Sequence, residues 1–494
     1  MAPAEPSDDD RIRAARLDKL ARLEAAGLRA YPTSFERTHL ARQVVAQYDA
    51  LHGQRVCVAG RVGVFKTLSK NLSFVFLTDD SGQVQLLLHP LDLDAPSRHV
   101  FEAVDPGDFV GACGTVTRTR RGEVSVEVSG LELLSKALRS PPEKWHGLVD
   151  VETRYRKRYL DLMANPEARQ VFLTRSRVVG AIRTFLNSRG FVEVETPILQ
   201  PIPGGGAARP FSTTSKALGA SMYLRIALEL YLKRCVVGGL ERVYEIGKNF
   251  RNEGVSFKHY PEFTMLELYQ AYADYSDIMR LTEDMVSTVA AAAVGEARVP
   301  WTVGAIDFAP PWRRVPLREA IAEFSGVDYA AHPDLDGLRA AAEDAGLRPE
   351  PDWSRGKILD ELLTLHVEPR LVEPTFLVDY PTDFPGSTLA KAKPDNPAEV
   401  ERFEAFAGGI EIANAFSELN DPRVQRDRFE QQVRAREAGD QEAQPFDAEF
   451  LMALEHGMPP TGGLGVGIDR LTMLLTDRHS IREVILFPQL RPRE

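Results

Sequence analysis

Near the N-terminus, Ile12, Leu17, Leu20 and Leu23 recur at roughly helical spacing with arginines between them, which predicts an amphipathic helix from Asp8 to Gly27. From Arg55 to about Leu138 the period drops to two. VCVAGRVGVF, LSFVFLTDDSG, QVQLLLH, DFVGACGTVTRT and EVSVEVSGLELL are short runs set apart by glycine and aspartate turns. Five strands at this spacing predict a small closed barrel of the OB type. Ser140-Pro-Pro-Glu-Lys-Trp-His then reads as a linker held extended by its paired prolines, within residues 141–153. A second domain, 154–494, opens on RYRKRYLDLM. A helix from Val171 to Arg189 precedes an edge strand that Pro197 ends. The stretch Val243–Tyr275 reads as an antiparallel hairpin whose second limb puts Phe263, Met265, Glu267 and Tyr269 on one face and Thr264, Leu266 and Leu268 on the other. Residues 301–372 look like an insertion of short helices and loops, and Tyr380–Pro397 like a mobile loop. Near the C-terminus a glycine-rich strand, Gly462–Gly467, runs into an apolar helix, Leu471–Leu475. The fold class is α+β.

Composition narrows the class. With 494 residues, 44% hydrophobic and 27% charged, the chain is expected to hold about two to four globular domains. No apolar run approaches the about 18 residues that a membrane span requires. The start, MAPAEPSDDD, is acidic and lacks the apolar core of a signal peptide, so a cytoplasmic protein is expected. Cys57, Cys113 and Cys235 show no metal spacing and read as buried free thiols. A net charge of -11 argues against a uniform coating of nucleic acid but leaves room for a local basic surface.

The chemistry gathers in four places. A glutamate and a phenol in register with an aromatic on one strand face, Phe263, Glu267 and Tyr269, are unusual for a purely structural strand. The hairpin's connection carries Arg251, Glu253, Lys258 and His259, donors suited to polyphosphate, although a solvated tip with stray charges would look the same. Arg470 stands where the glycine strand meets its helix. Asn414, Phe416 and Glu418 alternate on one strand face, and Glu229 in IALELYLK is a carboxylate flanked by apolar residues, which is rare unless paired. Glu404 and Glu411, seven apart, fit a helix face as readily as a site. Glu411 is out of phase with the alternation after it, so meeting a common ligand would require a strand end or a bulge. Taken alone, Phe74 fits a core position and Gln85 an exposed strand position.

GFVEVETPIL (190–199), FRNEG…HYPEFT (250–264) and GGLGVGIDR (462–470) resemble the three motifs of class II aminoacyl-tRNA synthetases, and the detail resembles the lysine-specific family over nearly the whole chain. The resemblance implies ATP-dependent activation of L-lysine and transfer to tRNA(Lys), with Mg²⁺ as cofactor and a homodimer formed through the first motif. It implies that Arg251 and Arg470 are catalytic, and that Arg251, Glu253, His259, Phe263 and Arg470 hold ATP. Gly205, Glu229, Glu267, Tyr269, Asn414, Phe416 and Glu418 would hold lysine, and Glu404 and Glu411 the metal. Phe74, Gln85 and Glu123 would read the anticodon, with Lys66, Lys70, Arg118, Arg120 and Arg121 in nearby loops on phosphates. The chain departs from the family's usual text at Tyr260 (asparagine), Leu228 (proline), Ile410 (arginine) and Thr214-Ser215-Lys216 (His-His-Asn). Those departures keep open a paralogue acting on a lysine analogue or feeding a secondary pathway, or a non-catalytic RNA-binding one.

Overall fold

The computed structural model describes residues 7–142, 148–302, 304–437 and 445–492. It contains two compact units, one of residues 1–154 with 159–164 and the other of 155–158 with 165–494. Part of the expected linker, 143–147, lies outside the described residues. No helix among the described residues is long and apolar enough to cross a membrane.

In the first unit β1 (Arg55–Ser69), β2 (Leu72–Thr78), β3 (Gln83–Leu88), β4 (Phe109–Arg118) and β5 (Val124–Ser135) close a barrel in the order β1-β2-β3-β5-β4. The alternation does this directly: Val56, Val58, Val75, Leu77, Val84, Leu86 and Val126 all point into one core. Lys66 and Arg118 lie on β1 and β4, not in loops. Cys57 and Cys113 are not free thiols. The antiparallel register of β1 and β4 sets them directly opposite each other, and they form a disulfide; Cys235 remains a free, half-buried thiol.

The N-terminal helix, α1 (Asp8–Ala25), buries a different stripe from the one expected. Leu23 is buried, but Ile12 and Leu17 stay exposed, and Arg16 takes the inward position. Its guanidinium donates to the carbonyls of Ala137, Arg139 and Pro106 at 2.7, 3.1 and 3.1 Å, so it caps chain ends rather than filling space.

The second unit is built on an eight-stranded sheet. Its strands are β6 (Val192–Glu193), β7 (Arg242–Phe250), β8 (Glu262–Ala271), β9 (Arg313–Pro316), β10 (Thr375–Pro381), β11 (Glu399–Ala407), β12 (Ile410–Ser417) and β13 (Thr461–Gly467), in the order β9-β10-β11-β12-β13-β8-β7-β6. β7 and β8 are the expected hairpin, in continuous antiparallel register from Arg242↔Gln270 to Phe250↔Glu262. Leu266 and Leu268 enter the core beneath the sheet with the helices α2 (Pro166–Ser188) and α3 (Tyr275–Val294), which leaves Glu267 and Tyr269 for the other face. The glycine strand β13 lies between β12 and β8 and leads into α4 (Ile468–Leu475).

Two expectations are corrected. Residues 301–372 are more than inserted helices and loops, because β9 lies within them and forms the parallel edge of the main sheet. Tyr380 and Pro381 do not belong to a mobile loop: both lie in β10, and Tyr380 is fully buried. The chain after them is tied down as well, with Lys391 N–H donating to the Ser417 carbonyl at 2.8 Å and Ala390 bridged to Glu418.

The barrel's polar anchor is Lys136. Its buried ammonium donates to Asp105 at 2.6 Å, Asp108 at 2.7 Å and the Ala103 carbonyl at 2.8 Å. Lys136→Met would leave fully buried Asp108 without its cation, a loss of about 3–5 kcal/mol. Denaturant unfolding of the full-length chain checks this, and a change below about 1 kcal/mol would show the cluster to be dispensable.

Candidate active site

The sheet's open face carries a cavity of about 250 Å³ lined by Arg251, Glu253, Lys258, His259, Phe263, Glu411, Asn414 and Arg470, among others. The β7–β8 connection supplies the first four, and Phe263 stands near the start of β8. Ser256 shapes it by accepting the His259 backbone N–H at 3.0 Å and pairing with His259 Nδ1 at 2.9 Å. Arg251 lies over the Phe263 ring, 5.2 Å from its centroid, and its Nε donates to the Ile226 carbonyl at 3.4 Å. Among the described residues no carboxylate stands within ion-pair distance of it, so this cation faces the cavity without a counter-ion.

Arg470, at the start of α4, donates to the Glu411 carboxylate at 2.7 Å and to its backbone carbonyl at 2.9 Å. Burial alone would raise the Glu411 carboxyl, but Arg470 holds it below the usual range. His259 opens on the cavity. Surrounding protein and the cations of Arg470 and Lys258 push its imidazole down to about 4, so it is neutral at pH 7.

Glu404 lies deeper, on β11, and accepts from Arg402 at 2.7 Å and from the Tyr380 hydroxyl at 2.9 Å. Burial raises it to about 7, and neighbouring Glu411 adds to the rise. A bulge between β11 and β12 brings the two together: Glu404 pairs with Asn414 and Ala405 with Ala413, then the register slips so that Phe406 pairs with Glu411. The phase break at Glu411 in the sequence is this slip.

Behind the cavity lies a closed cluster of Glu229, Glu267, Tyr269, Phe416 and Glu418, all buried. Glu229 opens the short helix Glu229–Val237, which lies between α2 and α3 in the chain. Glu267 accepts the Leu228 N–H at 3.1 Å and the Tyr269 hydroxyl at 3.3 Å, and burial beside Glu229 pushes it up to about 7. Glu229 and Glu418 converge as expected, but on a residue the sequence reading missed. Lys233 reaches Glu229 at 2.5 Å and also contacts the Glu418 carboxylate. Its signal was present, since a lysine four residues after a buried glutamate lies on the same helix face. Arg402 and the Lys258–Glu368 ion pair were missed too.

Glycines make the room. A Cβ on Gly463 would stand 1.9 Å from Glu418 Oε1 and 2.7 Å from the Tyr269 ring. Gly205, at φ +83°, lies against Glu229, and a Cβ there would come within 3.0 Å of the Glu229 Cβ. On the barrel, Phe76 pairs with Gln85 and Gln85 with Ser125, so Gln85 lies between positions two residues along from Phe74 and from Glu123. Phe74 is half-buried and Glu123 exposed, while Gln85 is buried and accepts from Ser125 Oγ at 2.7 Å.

Residues 150–491 match the family model for class II tRNA synthetases (D, K and N), and residues 56–134 match that for OB-fold nucleic acid binding domains. A lysine–tRNA ligase of Moorella thermoacetica is 54% identical over 98% of both chains. Those of Pelotomaculum thermopropionicum (50%, over 100% of this chain and 97% of the relative) and Roseiflexus castenholzii (53%, over 97% and 98%) are similar. The chain belongs to the class II lysyl-tRNA synthetases.

Against the usual text of that family, the departures lie mostly away from the cavity's polar groups. Tyr260 contributes to the cavity wall, but its ring is buried in the core and its hydroxyl meets the backbone of Gln489, and Ile410 is also core. Thr214 and Lys216 are exposed beside a short hairpin turn. Leu228 is the exception, because its N–H is the Glu267 donor and proline has none.

Gly463→Ala is expected to cost about 1–3 kcal/mol of stability through overpacking. Equilibrium unfolding measures it, and an unchanged midpoint would mean that Glu418 does not occupy this space.

Proposed function

We propose that this synthetase activates L-lysine with ATP and transfers the lysyl group to tRNA(Lys), and that the residues gathered above divide that work. The observation that carries the reading is Arg251, a cation stacked on Phe263 at the cavity with no carboxylate within ion-pair distance among the described residues. Such a group awaits an anionic ligand.

The first step joins a lysine carboxylate oxygen to the α-phosphorus of ATP and expels pyrophosphate. A carboxylate is already nucleophilic, so the step requires alignment and charge neutralisation rather than a base. Arg251 holds the α-phosphate and the amino acid carboxylate together. Phe263 stacks on adenine, Glu253 accepts from its exocyclic amine, and His259 and Arg470 hold the outer phosphates. Glu267 takes the α-ammonium beside the Gly205 backbone. Glu229, Glu418 and Tyr269 receive the side-chain ammonium, with Asn414 and Phe416 on the adjoining wall. In the second step a ribose hydroxyl of the tRNA attacks the acyl carbon and AMP leaves.

Glu404 and Glu411 suit Mg²⁺: Glu411 raises the proton affinity of Glu404, which a bound cation would relieve, and Mg²⁺ commonly takes one or two carboxylates with phosphate oxygens and waters. When bound there, the ion neutralises phosphate charge. The barrel binds the anticodon through Phe74, Gln85 and Glu123. A homodimer through the first motif agrees with the exposed apolar side chains of Val192, Ile198 and Leu199.

ATP–pyrophosphate exchange with each amino acid offered separately tests the reading: lysine alone is expected to support it at full rate. Arg251→Ala should abolish exchange with little loss of stability, since it removes one long hydrogen bond and a ring contact. Normal exchange in that variant would remove Arg251 from the chemistry.

Phe74→Ala and Glu123→Ala are expected to lower tRNA charging about tenfold or more, given about 1–3 kcal/mol per stacked base, while exchange without tRNA stays unchanged. Equal losses in both assays would mean that the barrel is not a separate anticodon module.

A further inference from the structure

Lys233 is fully buried, and its ammonium lies between the Glu229 and Glu418 carboxylates, 5.4 Å from the Phe416 ring centroid and 6.0 Å from that of Phe450. This is the position in which the proposed reading needs a pair of carboxylates free for a substrate ammonium. The pocket therefore already contains a cation of the same kind as the one it is to select.

The charges explain the coexistence. When ionised, Glu229, Glu267 and Glu418 bring three negative charges to the buried cluster, against one positive charge on Lys233; burial favours their protonated forms, and incoming ammonium groups favour the ionised ones. Lysine at neutral pH brings two ammonium groups, while its carboxylate goes to Arg251. Three carboxylates against one fixed and two incoming ammoniums leave no residual charge in a region that water does not screen. Without Lys233, the bound pocket would hold one uncompensated carboxylate. With a neutral side chain in place of the substrate's ammonium, the native pocket would be short of one cation.

We infer that Lys233 is a specificity-determining positioning residue, a built-in counter-ion that engages Glu229 and Glu418 together and sets the pocket's charge to match the two ammonium groups of lysine. The inference rests on the assignment of Glu229, Glu267 and Glu418 to the substrate. Lys233 is suited to a fixed role: burial would drive its proton off, but the two carboxylates outweigh that and hold its pKa above the ordinary value. Its helix position, one turn after Glu229, puts the two on the same helix face.

The test is a charge cycle in the full-length enzyme, read as kcat and KM for lysine and for ATP in pyrophosphate exchange. Lys233→Met and Glu418→Gln should each lower lysine kcat/KM by about ten- to a hundredfold, chiefly through KM for lysine, with KM for ATP unchanged. The double variant Lys233→Met/Glu418→Gln removes one charge of each sign and restores the balance. Its lysine KM should recover to below that of either single variant. Lys233→Arg keeps the charge and should lose less than Lys233→Met.

A role confined to packing predicts additive or worse losses in the double variant, and that result overturns the inference while leaving the site assignment intact. A lysine KM that falls in Lys233→Met would also overturn it, because Lys233 would then be competing with the substrate. If Glu418→Gln and Glu229→Gln both leave lysine kinetics unchanged, the site assignment itself has failed. Should Lys233→Met not fold alone, the comparison of the double variant with Glu418→Gln still decides: a lower lysine KM in the double supports the charge balance, and a higher one refutes it.

Discussion

Space at the centre of the sheet governs this site. β13 lies between β12 and β8, and wherever its neighbours send a large polar side chain across, β13 has only hydrogen to offer. Gly463 faces the Glu418 carboxylate and the Tyr269 ring; Gly465 faces Met265 and Glu267. Glycine in a strand interior weakens it by conformational entropy, so four in seven residues of a central strand is an expensive choice locally. What it permits is a row of carboxylates inside a sheet, with hydrogen bonding on both edges of the strand intact.

The two halves of the site solve the problem of charge differently. On the cavity side one cation is unsatisfied: Arg251 has no ion-pair partner among the described residues, and His259 is kept neutral by burial and by the cations around it. That side is prepared for a polyanion. On the closed side the carboxylates are in excess, pressed toward protonation by burial, and among the described residues Lys233 is the one cation paired with them. That side is prepared for cations. Asn414 stands between the halves, paired in register with Glu404 and accepting from Arg402 at 3.3 Å. A zwitterionic substrate with a cationic tail meets each half with the opposite sign.

Much of this was legible because the sheet's period is two. The hairpin, its two faces and the barrel strands follow from alternation alone, and the bulge at Glu411 follows from a break in it. Other features depend on registers that no local pattern encodes. Cys57 and Cys113 are 56 residues apart, and only the pairing of β1 with β4 sets them face to face. β9 is four residues long and joins the sheet in parallel at its edge, too short to announce itself by period. Arg16 took an inward position that an apolar residue was expected to hold, because its acceptors are carbonyls from the far end of the barrel chain. Lys233 escaped because a buried helix face with a lysine on it reads as an error in amphipathicity until both carboxylates are seen around it.

The Leu228 amide holds one oxygen of Glu267 at 3.1 Å from the backbone itself. A contact of this kind belongs to the position and not to the residue. Every amino acid but proline carries that N–H, so the aim of Glu267 is insulated from exchanges of one apolar side chain for another at this buried position. The exception is the imino acid, which would leave that oxygen without its donor. A lineage with a non-proline residue at this point can therefore exchange one buried apolar side chain for another of similar volume, while a single change to proline would alter the polarity of the pocket without touching Glu267 itself.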